Sequence, residues 1–327
     1  MKKIILVSDT CYPQINGVAT TFKNYVDFLN KKNIEVIEIT SNMFKSIKCP
    51  FSKDLKLAYN IKLKDEWFKD NFAVHILTEG PLGFKVRNYC VKSNIRFTTS
   101  YLTMFPEFLK KYTKIPIGIT RKYFKWFHKK SSKVLCCTKE LVENLKWLNH
   151  KNLKICPKGV DVNLFKYKNK TINENKVILF VGRISKEKNI EVFCELSVNA
   201  KKIVIGDGPE INKLKEKYKD VNFCGKLTGE NLVKAYQQAD VFVFPSKTDT
   251  YGIVMLEALS CGTPVAAYPI NGALDLKNQY NVFCDENLNK AVENCLKFTD
   301  YNSCRLVAEK YDWSLSSEKF LEHLIFN

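Results

Sequence analysis

Arginine is scarce in this chain of 327 residues, with five against 47 lysines. Histidine is scarcer still, and His75, His128, His150 and His323 show no ligand spacing. The twelve cysteines are spread singly apart from the neighbours Cys136 and Cys137, and no C-x-x-C occurs. Without those spacings no metal is expected. Scattered cysteines then serve as small apolar core residues. No apolar run approaches the roughly 18–20 residues needed to span a bilayer. The N-terminus, MKKIILVSDTCYPQ, starts basic like a signal peptide, but its apolar run is only IILV. Polar Ser8, Asp9 and Thr10 follow, so it reads as a first strand and the chain is expected in the cytoplasm. The missing G-x-G-x-x-G argues against a dinucleotide dehydrogenase. No repeat or low-complexity tract is present.

What is present is enough for packed cores. Hydrophobic residues make up 45% and aromatics 13%, which excludes disorder, and the length suits two domains. The net charge of +18 is lopsided. Residues 1–157 hold 29 Lys+Arg against 12 Asp+Glu, while the remainder holds 23 against 22. A lysine-rich proteome explains the total but not the imbalance. Such a surface favours polyanions, either nucleic acid or anionic lipid headgroups. A nucleic-acid role is disfavoured, since no recognisable module and no clear aromatic-interleaved basic stripe is found.

Short apolar strands alternate with amphipathic stretches throughout. KIILVS (3–8) leads through a loop to the helical VATTFKNYVDFLNKKN and then to EVIEIT (35–40). FAVHILT (72–78), a helix near 82–93, RFTTSY (96–101), KVLCCT (133–138), a helix over 139–149 and LKICPKG complete the first half. The pattern restarts with KVILFVG (176–182), KKIVIGDGP, VNFCGKL and DVFVFPS (240–246). Polar KYKNKTINEN (166–175) between them reads as linker. This order predicts two parallel sheets with covering helices, an α/β chain of two Rossmann-like domains facing one another. The expected bounds are 1–160, a linker at 161–175, 176–310, and a final helix within 311–327.

Ligands of open α/β sheets bind at strand carboxyl ends, near helix starts. After the first strand, Gly17 closes a loop whose helix-start amides suit phosphate; an ordinary turn glycine serves equally well. After VILFVG come Arg183, at the strand end, and Lys188, at the entrance of the next helix. Two cations there oppose the helix dipole, and an anion between them relieves the conflict. Arginine in particular suits bidentate phosphate binding. VIGDGPE places Gly206 and Gly208 in a turn, with Pro209 suited to the first helical position. In TDTYGIVMLEALSCGTPVA, Glu257 interrupts an otherwise apolar helix and Asp249 stands before its first turn. A buried carboxylate is costly unless paired. The two acids suit sugar and ribose hydroxyls, with the backbone amides of residues 250–253, around Tyr251, Gly252 and Ile253, facing the same cleft. A capping Asp with a satisfied core Glu is the structural alternative.

FVGRISKEKNIEVF, VIGDGPE and FPSKTDTYGIVMLEALSCGTPVAAYP resemble the retaining GT-B glycosyltransferases of family four, the group 1 type. SDTCYPQINGVATTF, VHILTEGPLGF, TTSYLTMFPEFL and PKGVDVNLF resemble its branch of bacterial α-mannosyltransferases, diacylglycerol glycosyltransferases and sulfolipid synthases. The resemblance implies a GT-B fold, with a nucleotide-sugar bound by the second domain and a lipid or glycan acceptor by the first. It assigns Arg183 and Lys188 to the diphosphate, Glu257 to the ribose, Asp249 to the transferred sugar and Gly17 to the donor phosphate. Gly206, Gly208, Tyr251, Gly252 and Ile253 complete the donor side, with Asp9 and Leu102 on the acceptor side. Neither cofactor nor metal is implied. The final helix, around DWSLSSEKFLEHL (312–324), matches the segment that crosses back onto the first domain. Leu102 and Met104 stand where the branch carries His and Arg, and a leucine cannot donate a hydrogen bond. A nucleotide-sugar binder with weak activity is therefore the alternative. The basic first half suits a peripheral position at the inner face of an anionic membrane.

Overall fold

The computed structural model describes residues 2–14, 16–49, 52–170, 174–277 and 281–327, the side chains of residues 49 and 52–55 excepted. The chain forms two units, Met1–Pro157 with Ser314–Asn327, and Lys158–Trp313.

In unit 1 the strands are β1 (Lys3–Ser8), β2 (Glu35–Thr40), β3 (Lys45–Cys49), β4 (Ser52–Tyr59), β5 (Phe72–Ile76), β6 (Phe97–Tyr101), β7 (Lys133–Cys136) and β8 (Leu153–Ile155). Six of them make a parallel sheet in the order β2-β1-β5-β6-β7-β8, while β3 and β4 pair as an antiparallel hairpin. Ile4, Ile5, Leu6 and Val7 have no exposed surface, the double-sided burial of a central parallel strand. Each contributes about 1.5–3 kcal/mol of apolar burial. The helices are α1 (Gly17–Lys31), α2 (Pro81–Lys92), α3 (Phe105–Tyr112), α4 (Ile117–His128) and α5 (Lys139–Asn144). The helix expected over 139–149 stops at Asn144, and a 3-10 turn, Lys146–Leu148, completes it.

Unit 2 repeats the plan with β9 (Val177–Val181), β10 (Lys201–Ile205), β11 (Val221–Phe223), β12 (Val241–Phe244), β13 (Val265–Ala267) and β14 (Val282–Cys284). Their parallel order is β11-β10-β9-β12-β13-β14. Its helices are α6 (Ile190–Cys194), α7 (Ile211–Lys217), α8 (Gly229–Gln238), α9 (Ile253–Ser260), α10 (Asn271–Lys277), α11 (Leu288–Leu296) and α12 (Tyr301–Glu309). The last helix, α13 (Trp313–His323), packs in unit 1: Phe320 stacks on Tyr25 with ring centroids 3.9 Å apart.

Each sheet has one switch point, where the chain stops adding strands to one side and starts on the other. In unit 1 it lies between β1 and β5, and in unit 2 between β9 and β12. The crevice at such a point is where α/β sheets take ligands.

The expected linker is not a free tether over its first part. Lys170 Nζ donates to Ala239 O and to Thr263 Oγ1, Gln237 Nε2 donates to Lys166 O, and Arg305 holds the carbonyls of Val162 and Phe165. Residues 161–170 are thus bonded into unit 2, and residues 171–173 lie outside the described residues. The described cysteines are free, and all but Cys224 and Cys284 are buried.

Candidate functional site

The switch point of unit 2 collects the donor-side residues. Arg183 lies one residue past the end of β9, after Gly182, and is half-buried, while Asp249 lies on the loop after the neighbouring strand β12. Lys188 Nζ sits 2.7 Å from Asp249 Oδ1 and 2.9 Å from Oδ2, with both side chains only about a quarter exposed (28% and 23%). The two loops are stitched together around this pair. Asn189 Nδ2 donates to Pro245 O (3.1 Å) and Thr248 Oγ1 to Glu187 O (3.3 Å). Behind it, Asn271 Nδ2 donates to Asp249 O (3.2 Å).

This geometry adds detail to the sequence reading. The anion that relieves Lys188 is Asp249 itself, and Lys188 ends a 3-10 turn two residues before α6 begins. Asp249 does not cap α9, whose cap is Gly252 in the left-handed region at φ 88°. A Cβ at Gly252 would meet Phe244 Cζ at 2.6 Å, so backbone and packing both require glycine there. Tyr251 is buried, so its side chain is core and only its backbone can face a ligand.

Glu257 is half-buried, not sealed in. It shares a partly open face of α9 with Ile253 and Val254, the spacing that puts side chains on one side of a helix. Tyr236 Oη donates to Glu257 Oε2 at 2.8 Å, leaving Oε1 for another donor. Burial pushes its carboxyl up to about 7, against the opposing effect of the Tyr236 bond.

Gly206 and Gly208 have structural reasons of their own. A Cβ at Gly206 (φ 143°) would stand 1.8 Å from Gly182 O, and one at Gly208 2.3 Å from Ile184 O. Their turn is therefore laid directly on the loop that carries Arg183. Pro209 precedes α7 by two residues and does not open it, since the helix begins at Ile211.

Unit 1 gives a different picture. Gly17 is the first residue of α1, and Asn16 caps it: its Oδ1 accepts from Val18 N (3.1 Å) and Ala19 N (2.9 Å). Two of the helix-start donors expected to hold phosphate are already occupied. Asp9 follows β1 with its oxygens committed, Oδ1 to Leu82 N (2.9 Å) and Oδ2 to Thr78 Oγ1 (2.7 Å). It anchors the loop into α2, and burial raises its carboxyl to about 6. Leu102 follows β6 and is half-buried.

Sequence reasoning missed a buried polar group in the same unit. Glu79, after β5, lies 3.2 Å from His128 Nε2, and both are buried. His128 Nδ1 is 2.8 Å from Thr99 Oγ1, which donates to Ser131 Oγ (3.2 Å); Ser131 Oγ in turn donates to His128 O (2.9 Å). With both hydroxyl protons pointing that way, the consistent tautomer has Nδ1 donating to Thr99. Nε2 of a neutral ring then needs a donor, which a protonated Glu79 supplies. Burial agrees, holding Glu79 up at about 8 and His128 down at about 3. Burial thus favours one neutral acid beside one neutral imidazole over an ion pair. The TEGPLG stretch was the only sequence signal for it.

Among the described residues no group of three or more His, Cys, Asp or Glu could hold a metal ion, and no helix is long and apolar enough to cross a membrane.

Residues 162–300, all within unit 2, match the family described as Glycosyl transferases group 1. The chain resembles the group 1 glycosyltransferases. A sulfoquinovosyl transferase, SQD2 of Arabidopsis thaliana, is 25% identical over 83% of this chain and 60% of its own length. The chain thus spans less than two thirds of that relative. The alpha-monoglucosyldiacylglycerol synthase of Streptococcus pneumoniae is 25% identical over 81% of this chain and 71% of its own. The solved sucrose-phosphate synthase of Thermosynechococcus elongatus superposes over 98% of both chains with a TM-score of 0.74 at 17% identity. At that identity the likeness is one of fold, and the fold is GT-B.

Proposed function

We propose that the chain transfers a hexose from a UDP- or GDP-linked donor to a lipid or glycan acceptor, with retention of anomeric configuration. The observation that carries this reading is the Lys188–Asp249 pair at the switch point of the unit 2 sheet, with Arg183 on the adjacent strand end. Cleavage of the sugar–phosphate bond builds negative charge on the leaving diphosphate. Arg183, Lys188 and the amides at the start of α9 meet that charge as it grows, which is electrostatic catalysis. The diphosphate takes the place of Asp249 at Lys188 and so frees the Asp249 carboxylate to accept hydroxyls of the sugar. Glu257 Oε1 accepts from the ribose while Tyr236 holds the other oxygen in place. The resemblance implies front-face attack, and no residue is nominated as nucleophile.

Two side-chain cations supply the charge that a divalent ion would otherwise bring, so turnover is expected to be unchanged by a chelator. The similarity to an alpha-monoglucosyldiacylglycerol synthase, together with the basic first half, supports a lipid acceptor at the inner face of a membrane. The deciding experiment is a thermal-shift screen of UDP- and GDP-sugars, since a ligand bound only by the folded state raises its melting temperature. One donor is expected to stabilise the protein, and that labelled donor then to transfer into a lipid extract. No shift with any donor sinks the reading. A shift without transfer, with transfer gained by Leu102→His, identifies the weakly active binder instead.

A further inference from the structure

Lys188 and Asp249 are held by more than their own ion pair. Asn189 follows Lys188 directly and sits in the left-handed region at φ 55°. Glycine or asparagine suits that backbone, and only asparagine brings a side chain to it. Its Nδ2 donates to Pro245 O at 3.1 Å. Pro245 directly follows β12 and is buried, so this bond ties the Lys188 turn to the sheet rather than to Asp249. Asp249 is held from elsewhere. Asn271, the buried first residue of α10, donates from Nδ2 to Asp249 O at 3.2 Å. Gly272 lets that helix start lie on the loop, since a Cβ there would stand 1.9 Å from Tyr251 O. The side-chain bonds that join the two halves directly, from Ser246 and Thr248 to Glu187 O, are longer at 3.5 and 3.3 Å.

We propose that Asn189 and Asn271 are positioning residues for the donor and divide that task by ligand group. Asn189 sets Lys188 for the diphosphate, and Asn271 sets Asp249 for the hydroxyls of the transferred sugar. The proposal rests on the function proposed above. There the diphosphate takes the place of Asp249 at Lys188, so the ion pair cannot set the geometry of the occupied site. Both asparagine bonds end on main-chain carbonyls outside the pair, and its exchange leaves them in place. A lysine on a loose loop must be ordered when the ligand arrives, and that lost entropy weakens binding. On a pinned loop the ordering precedes the ligand.

The experiment is isothermal titration of the full chain with UDP, GDP, UDP-glucose and GDP-mannose. The base that binds the unmodified protein is carried forward to the variants. The ratio of affinities, sugar nucleotide over its own diphosphate, isolates the share of binding that the sugar carries. Asn189→Gly keeps the left-handed backbone and removes only the side chain. It is expected to weaken diphosphate and sugar nucleotide alike, about fivefold, the worth of one ordinary hydrogen bond, and to leave their ratio unchanged. Asn271→Ala is expected to leave diphosphate affinity as it was and to lower the ratio about fivefold. An asparagine that only supports the fold lowers the ligand-free melting temperature and produces no such split. Loss of diphosphate affinity in Asn271→Ala, an unchanged ratio there, or unchanged diphosphate affinity in Asn189→Gly overturns the proposal. Should Asn271→Ala fold poorly, Asn271→Ser leaves a hydroxyl one bond shorter than the amide and is held to the same two readings. If the unmodified protein binds none of these nucleotides, the function itself is rejected. If it binds and the variants show the wrong pattern, the positioning role alone is rejected.

Discussion

The two units use the same α/β plan and treat charge in opposite ways. At the switch point of unit 2 the ionisable groups stay within reach of a ligand: Lys188, Asp249 and Glu257 are all partly exposed. At the switch point of unit 1, Asp9, Glu79 and His128 are shut inside, each spent on a loop or on one another. The outer surfaces reverse the contrast. Among the described residues, twelve large apolar side chains are exposed, and only Leu306 belongs to unit 2. The basic surplus falls on the same side as the apolar exposure. A shared six-stranded parallel plan therefore does not mean identical employment. One unit keeps its ionisable groups partly open at the strand ends, and the other carries its basic surplus and exposed apolar side chains on the outside.

The contrast breaks most severely if Arg183→Ala leaves turnover intact. Loss of one preorganised cation is expected to lower kcat by about a hundred- to a thousandfold, with little change in melting temperature. Stability should instead respond at the first unit. Glu79 has its folded value raised from 4.5 to about 8, so the folded state holds a proton that the unfolded state has lost. That contribution is complete below pH 4.5 and lost as pH rises through 8. Glu79→Gln keeps a donor for His128 and removes the titration. Relative to wild type, its urea midpoint should rise steadily between pH 4.5 and 8, a gain of a few kcal/mol, and level off beyond. A constant difference across that range would show that Glu79 is ionised in the folded protein.

A smaller effect sharpens the donor side. Glu257 sits at about 7, so under the proposed function, in which its carboxylate accepts ribose hydroxyls, donor affinity is expected to rise as pH rises through 7. Glu257→Gln should weaken donor binding about tenfold above pH 7, the worth of one charge-assisted hydrogen bond, and flatten the pH profile. Isothermal titration at several pH values reads both. Smallest of all, Asn16→Ala should cost about 1 kcal/mol of stability through the lost cap on α1. If turnover falls no further than the folded fraction in that variant, the amides of Val18 and Ala19 take no part in the reaction.

Much of the fold was legible because burial writes itself into the sequence as apolar runs. The strands at 3–8 and 35–40 form with the bounds read from KIILVS and EVIEIT, and the restart at KVILFVG opens the second sheet. The β3–β4 hairpin was not foreseen: KSIKC and SKDLKLAY hold scattered lysines and a proline between them rather than a recognisable turn. Polar KYKNK suggested a tether, yet the long stem of Lys170 lets a charged residue reach into unit 2. At the donor site the residue types were legible and their pairing was not. Lys188 and Asp249 are 61 positions apart, and nothing local to either announces the other. The Glu79–His128 pair, 49 positions apart, is a matter of tertiary packing in the same way.

Under the proposed function, the Lys188–Asp249 pair has a consequence for what the site refuses. A bare phosphate that takes Lys188 must strip Asp249 of its partner and offers that carboxylate nothing in exchange. A ligand with hydroxyls alone faces the mirror-image loss. Only a molecule that brings an anion and hydroxyls at the right separation replaces both halves of the bond it breaks. The pair thus acts as a lock with two keys, and abundant inorganic phosphate holds only one of them.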